Sequence, residues 1–140
     1  MSKITRAAKR KIPIRTLALS LVRGNAQKDY RGEIQSLHKY VRDSIRYVRD
    51  VRGIETLQTP EKTVEFEQGD CDDKSTLLAS LLESIGHPTR FVAVGFTPDN
   101  YAHVYVETRL GDRWIPLETT EPWRMGRGPA IVLARMVQHN

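Results

Sequence analysis

The chain has 140 residues, of which 39% are hydrophobic and 28% charged, and it carries a net charge of +5. A single cysteine excludes a disulfide scaffold, and no apolar run approaches the roughly 20 residues that span a bilayer. What remains is one domain of ordinary globular composition with a core of its own, and a lone thiol that fits a reducing compartment, so a cytoplasmic location is expected.

Much of the positive excess sits at the start, in Lys3, Arg6, Lys9, Arg10, Lys11 and Arg15. Such a patch can attract nucleic acid or an acidic surface. No aromatic side chain is interleaved to stack on bases, so a solvated or frayed terminus is expected and nucleic acid is not an expected partner. The apolar stretch Thr16 to Val22 runs into Arg23 without a small-x-small cleavage site, so no signal peptide is expected. Instead Ile14, Leu17, Ala18, Leu21 and Val22 form a short helical stripe that stops at Gly24-Asn25. Residues 1–28 are thus expected as a basic segment with a short helix, and residues 29–140 as a single globular domain.

From Asp29 to about Val48 the apolar residues Tyr30, Ile34, Leu37, Val41, Ile45 and Val48 recur three or four apart, which predicts a long amphipathic helix. Its His38 has no second ligand at i+4 and reads as a surface or satisfied core residue. Residues 51–68 lack a period. They contain Gly53 and Thr59-Pro60, and read as a loop with one helical turn after Pro60. A connection that long in a compact domain tends to wrap a site.

The stretch Gly69-Asp70-Cys71-Asp72-Asp73 precedes Leu77, Leu78, Leu81, Leu82 and Ile85, one stripe of a helix that Gly86 and Pro88 terminate. Asp70 is a good N-cap, and Asp73 stands where a capping box needs its acid. Cys71 therefore falls in the first turn, where free backbone N–H groups and the helix dipole favour a thiolate and can receive an oxyanion. The competing reading is a buried structural cysteine, and the acidic neighbours argue against it. The same carboxylates oppose a thiolate electrostatically unless they face solvent. They lack the glycine and distal glutamate of an EF-hand loop, so neither a metal nor a cofactor is expected.

Beyond Pro88 the period changes to two. Residues 90–96 are rich in strand formers, Pro98-Asp99-Asn100 is a turn, and residues 102–108 alternate, with Val104 and Val106 on one face and His103, Tyr105 and Glu107 on the other. Leu110-Gly111-Asp112-Arg113 predicts a hairpin turn, and residues 114–119 return as a strand that Pro116 confines to an edge or a bulge. Residues 123–129 read as loop, and residues 130–137 as either a strand or a helix. With either a two- or a four-residue hairpin loop, His103 and Glu118 share a face about 5 to 8 Å apart. Glu118 could equally be an edge-strand charge. With Cys71, the set has the order of nucleophile, base and orienting acid in acyl transfer.

These residues carry a resemblance. The Gly69-Asp70-Cys71-Asp72-Asp73 stretch with its leucine-rich helix, the strands Arg90 to Val94 and Ala102 to Glu107, and the segment Trp114 to Thr120 look like the core of transglutaminase-like cysteine enzymes. The match covers roughly residues 30–122. Ile45-Arg46-Tyr47 and Glu55 to Pro60 are also similar to compact microbial and phage members. The resemblance implies an α+β, papain/transglutaminase-like core, with N-terminal helices and a cysteine-bearing helix on a small antiparallel sheet. It carries a catalytic triad onto Cys71, His103 and Glu118, the last departing from the usual Asp. It implies a thioester mechanism on a peptide or protein amide substrate, first as a peptidase- or amidase-type hydrolase. A glutamine–amine cross-linking transferase and a non-catalytic binding or assembly module are the alternatives. Gln58, Gln68 and Tyr47 are candidates for the second oxyanion donor, and no reading of the sequence fixes an oligomeric state.

Overall fold

Eleven elements follow one another in the computed structural model, which describes residues 1–49, 57–97, 101–130 and 132–140. In chain order they are α1 (Ser2–Ala8), α2 (Ile12–Val22), α3 (Tyr30–Ser44), β1 (Arg46–Tyr47), α4 (Pro60–Phe66), β2 (Gln68–Gly69), α5 (Cys71–Ser84), β3 (Thr89–Gly95), β4 (His103–Leu110), β5 (Arg113–Leu117) and β6 (Ala134–His139). The expected turn at Pro98-Asp99-Asn100 and the start of the loop, residues 50–56, lie outside the described residues.

The core is built around α5. Leu77, Leu78, Leu81 and Leu82 are all fully buried, as the stripe predicts. The rest of the helix is buried as well, from Asp73 to Leu82, because helices pack on one side and the sheet on the other. Ser75 and Ser80 tolerate this by turning their hydroxyls onto carbonyls. Ser80 donates to Thr76 O at 2.7 Å and Ser75 to Val104 O at 3.3 Å, which removes much of the cost of taking a hydroxyl out of water.

Helix α3 begins where its Asp29 cap accepts from the Gly32 amide, and presents Ile34, Leu37 and Val41 to this core. It is shorter than its apolar period suggests. Ile45 is buried but extended, and Arg46–Tyr47 pairs in parallel with Gln68–Gly69. A single residue can keep its side chain inside while its backbone leaves the helix, so the spacing alone overran the end. The helical turn after Pro60 is the seven-residue α4, capped by the Thr59 side chain.

The basic start is not frayed. Ser2, Thr5 and Ala8 are buried, and α1 and α2 both pack on α5. Its cations point outward, two of them pairing as Lys9–Glu83 at 3.2 Å and Lys11–Glu61 at 3.4 Å.

The main sheet is antiparallel with strand order β5-β4-β3-β6. Leu110 pairs with Arg113 and Val106 with Leu117, which is the register of a two-residue turn, with Gly111 at φ 66° as such a turn requires. Pro116 lies on the edge strand β5, where its missing N–H breaks no ladder. Residues 134–139 resolve as strand, on the other edge. Val104 and Val106 face α5, while Tyr105 joins Val92 and Val94 in a second cluster closed by Val132 and Val137. Among the described residues no helix is long and apolar enough to cross a membrane.

Candidate active site

Cys71 is the first residue of α5, and the turn that carries it is tied down on three sides. Asp70 accepts from the Asp73 amide at 2.9 Å, and Asp73 accepts in return from the Asp70 amide at 3.1 Å, completing the expected capping box. The Asp73 carboxylate also accepts from Gln58, from its amide N–H at 2.8 Å and its side chain at 2.9 Å. That contact fastens the preceding loop to the helix start. Gly69 has a steric reason: a Cβ there would lie 2.6 Å from the Asp73 Cβ.

The three acids are therefore not equivalent. Asp73 is buried and spends its oxygens on N–H groups. Burial, and then the neighbouring carboxylates of Asp73 and Asp72, push the Asp70 carboxyl up to about 6, against the stabilising Asp73 amide. Near neutral pH part of the negative charge beside the sulfur is thus titratable. Asp72 Oδ1 stands 4.0 Å from Cys71 Sγ.

His103 opens β4, so it sits at the end of the sheet, where the α5 N-terminus reaches it. Its Nε2 lies 2.6 Å from Glu118 Oε2, and it lines one cleft with the Cys71 side chain. With Nε2 committed to the carboxylate, Nδ1 is the nitrogen left for sulfur. Burial works against a charged imidazole here, but the neighbouring Cys71 and the Glu118 carboxylate outweigh it and push His103 up to about 10.

Glu118 follows the last residue of β5 and is 1% exposed. Burial alone would raise its pKa. The His103 partner and the Thr120 N–H and hydroxyl hold it below the usual carboxylate range instead. Oε1 takes the Thr119 amide at 3.0 Å, the Thr120 amide at 3.1 Å and the Thr120 hydroxyl at 3.0 Å, leaving Oε2 to the imidazole. Behind it, the buried His38 donates from Nε2 to the Glu118 carbonyl at 2.6 Å, and burial lowers the His38 pKa, keeping that ring neutral. His38 is thus a satisfied core residue, and it braces the acid.

Two features of the site had little signal in the sequence. The His38 link spans 80 positions along the chain. Lys74, fully buried one turn beyond Cys71, donates to Ile45 O at 2.6 Å and caps the end of α3; burial pushes its pKa down to about 8. The Thr119-Thr120 pair was findable, since a hydroxyl residue two positions after an acid commonly turns back onto it.

Cys71 and His103 line an open cleft of about 460 Å³, within the range of small-ligand sites. Of the three candidate donors, Tyr47 lines this cleft. Burial and the nearby Cys71 raise its pKa, so its hydroxyl stays protonated. Gln58 is engaged by Asp73, and Gln68 lines a separate hollow beside Lys74. Among the described residues no three His, Cys, Asp or Glu side chains gather as they would around a metal ion.

Residues 15–119 match the family model described as the transglutaminase-like superfamily. Solved structures share the fold at low identity. A proposed protease from Parabacteroides distasonis is 12% identical with a TM-score of 0.68, over 83% of this chain and 25% of that one. A proposed cysteine protease from Cytophaga hutchinsonii is 17% identical with a TM-score of 0.62, over 91% and 50%. LapG from Legionella pneumophila is 17% identical with a TM-score of 0.61, over 86% and 72%. The chain thus corresponds to half or less of the first two proteins. No curated protein sequence matches it significantly.

Proposed function

The chain belongs to the transglutaminase-like superfamily, and on that premise we propose that it is a cysteine hydrolase that cleaves an amide bond of a peptide or protein through a thioester. The observation that carries the proposal is the imidazole of His103, bonded to Glu118 at 2.6 Å and lining one cleft with the Cys71 side chain at a helix N-terminus.

His103 takes the proton of Cys71, and the sulfur attacks the amide carbonyl carbon. The carbonyl π pair moves to oxygen, where the Cys71 backbone N–H and the Tyr47 hydroxyl stabilise the charge. The intermediate collapses, the C–N bond breaks, and His103 returns its proton to the leaving amine. Water, deprotonated by His103, then attacks the thioester, and the C–S bond breaks to release a carboxylic acid and the thiol. Glu118 keeps the imidazole oriented and supports its positive charge throughout. Its extra methylene relative to Asp is taken up by the anchoring of Oε1 on Thr119 and Thr120.

Iodoacetamide labelling followed by peptide mapping tests the nucleophile. Cys71 is expected to react faster than an ordinary thiol at pH 6, and His103→Ala to abolish that advantage. Labelling that follows an ordinary thiol and ignores His103→Ala removes the activated pair. With a casein digest as substrate and a labelled primary amine present, release of new carboxyl termini supports hydrolysis, and amine incorporation without release replaces it with the transferase.

A further inference from the structure

Among the described residues, the helix-facing side of the sheet is not wholly covered. Helix α5 lies mainly across β4, with a smaller contact on β3, and β6 extends past it. The strand register places Val104, Ala93 and Met136 in one row across β4, β3 and β6, and Val106, Phe91 and Gln138 in the next. Ala93 lies on an interior strand, on the apolar face, yet it is only half-buried. Interior positions on that face normally meet a packed side chain. Here the small methyl stands between the larger Val104 and Met136, and what it leaves is a pit. Phe91 backs the pit and Met1 lines the same cleft. Cys71 and His103 line that cleft too, so a chain whose amide lies at the sulfur shares it with Ala93.

We propose that this pit is a specificity pocket, with Ala93 as its floor and Val104 and Met136 as its walls, that takes a large aliphatic side chain close to the scissile amide. No charged residue stands in either row, although Arg49, Asp70 and Asp72 line the same cleft, so a charged side chain seated in the pit itself would lose its hydration there. A small one would leave the pit wet. The assignment of an amide substrate rests on the chemistry proposed above; the apolar preference rests on the pit alone.

The two are tested apart. The pit is read by binding, with methyl NMR of Ala93 and Met136 during titration with N-acetyl-leucinamide, and with N-acetyl-glycinamide and N-acetyl-aspartamide as controls. Both methyls are expected to shift with the leucine compound only. The chemistry is read by the rate at which tripeptidyl chloromethyl ketones alkylate Cys71, with one Leu moved through a glycine background. One Leu position is expected to react about tenfold faster than the all-glycine probe, the usual weight of an apolar side chain in a fitted pocket. Met136→Ala should reduce that preference and Ala93→Phe should erase it. Should Ala93→Phe fail to fold, the exposed Met136→Ala carries the comparison. Methyl shifts without alkylation would sink the thiol chemistry and leave the pocket. Fast alkylation with no Leu preference and silent methyls would overturn the pocket.

Discussion

Glu118 shows how much a single side chain is asked to do here. One oxygen is locked by two amides and a hydroxyl, the other meets His103, and the carbonyl of the same residue is held by His38. A negative charge buried this completely persists only because every lone pair is answered. Glu118→Gln keeps the shape and removes the charge. In that variant the His103 pKa, followed by imidazole NMR, is expected to fall from about 10, and turnover or labelling at pH 6 to drop by about 10² or more, the usual contribution of an acid–base group. Glu118→Asp should lose less, because a shorter acid keeps its charge but cannot hold both His103 and the Thr119-Thr120 amides. That His103 and Glu118 meet could be read from the sequence, since residue type and strand parity suffice to pair an imidazole with an acid. The bracing by His38 could not, because a contact across 80 positions leaves no periodic trace.

At the scale of elements, α5 carries the argument. Its cap, its first turn and its stop were all legible, because capping depends on a few local residues. Its nearly complete burial was not. Ser75, Thr76 and Ser80 look like a solvated face, and only the helices and sheet on either side make them interior. The end of α3 was overrun for a related reason, as Ile45 stays inside while its backbone turns extended. The role of Gly69 is steric. Gly69→Ala brings a methyl to 2.6 Å from the Asp73 Cβ, which must displace the capping box. A loss of roughly 1–3 kcal/mol in urea denaturation is expected, as for overpacking elsewhere, together with slower Cys71 labelling. Unchanged stability would mean that the turn can shift without cost.

Over the whole molecule, two buried bases make stability depend on alkaline pH in opposite directions. His103 is raised to about 10 from 6.5, so its contribution is complete below pH 6.5 and fades as pH rises through 10. Lys74 is lowered to about 8 from 10.5, so its burial is most costly below pH 8, and that cost is relieved as the pH climbs towards 10.5. Denaturation midpoints between pH 6.5 and 10 should therefore fall gently in the wild type. In Lys74→Met the fall should steepen, towards a limit of about 1.4 kcal/mol per pH unit for one proton. In His103→Ala it should vanish or reverse. Identical pH profiles for all three proteins would show that neither base titrates as its surroundings dictate.

The Gly111 turn has a consequence at a distance. Because side chains alternate strictly, a one-residue slip of β5 against β4 would carry every residue of β5 to the opposite side, and Glu118 would depart from His103 with no site residue altered. The hairpin tip works as a gauge block, setting from eight positions away whether acid and imidazole meet at all. A relative whose tip set the two strands one residue out of this register would have to recruit its acid from a neighbouring position or from another part of the chain.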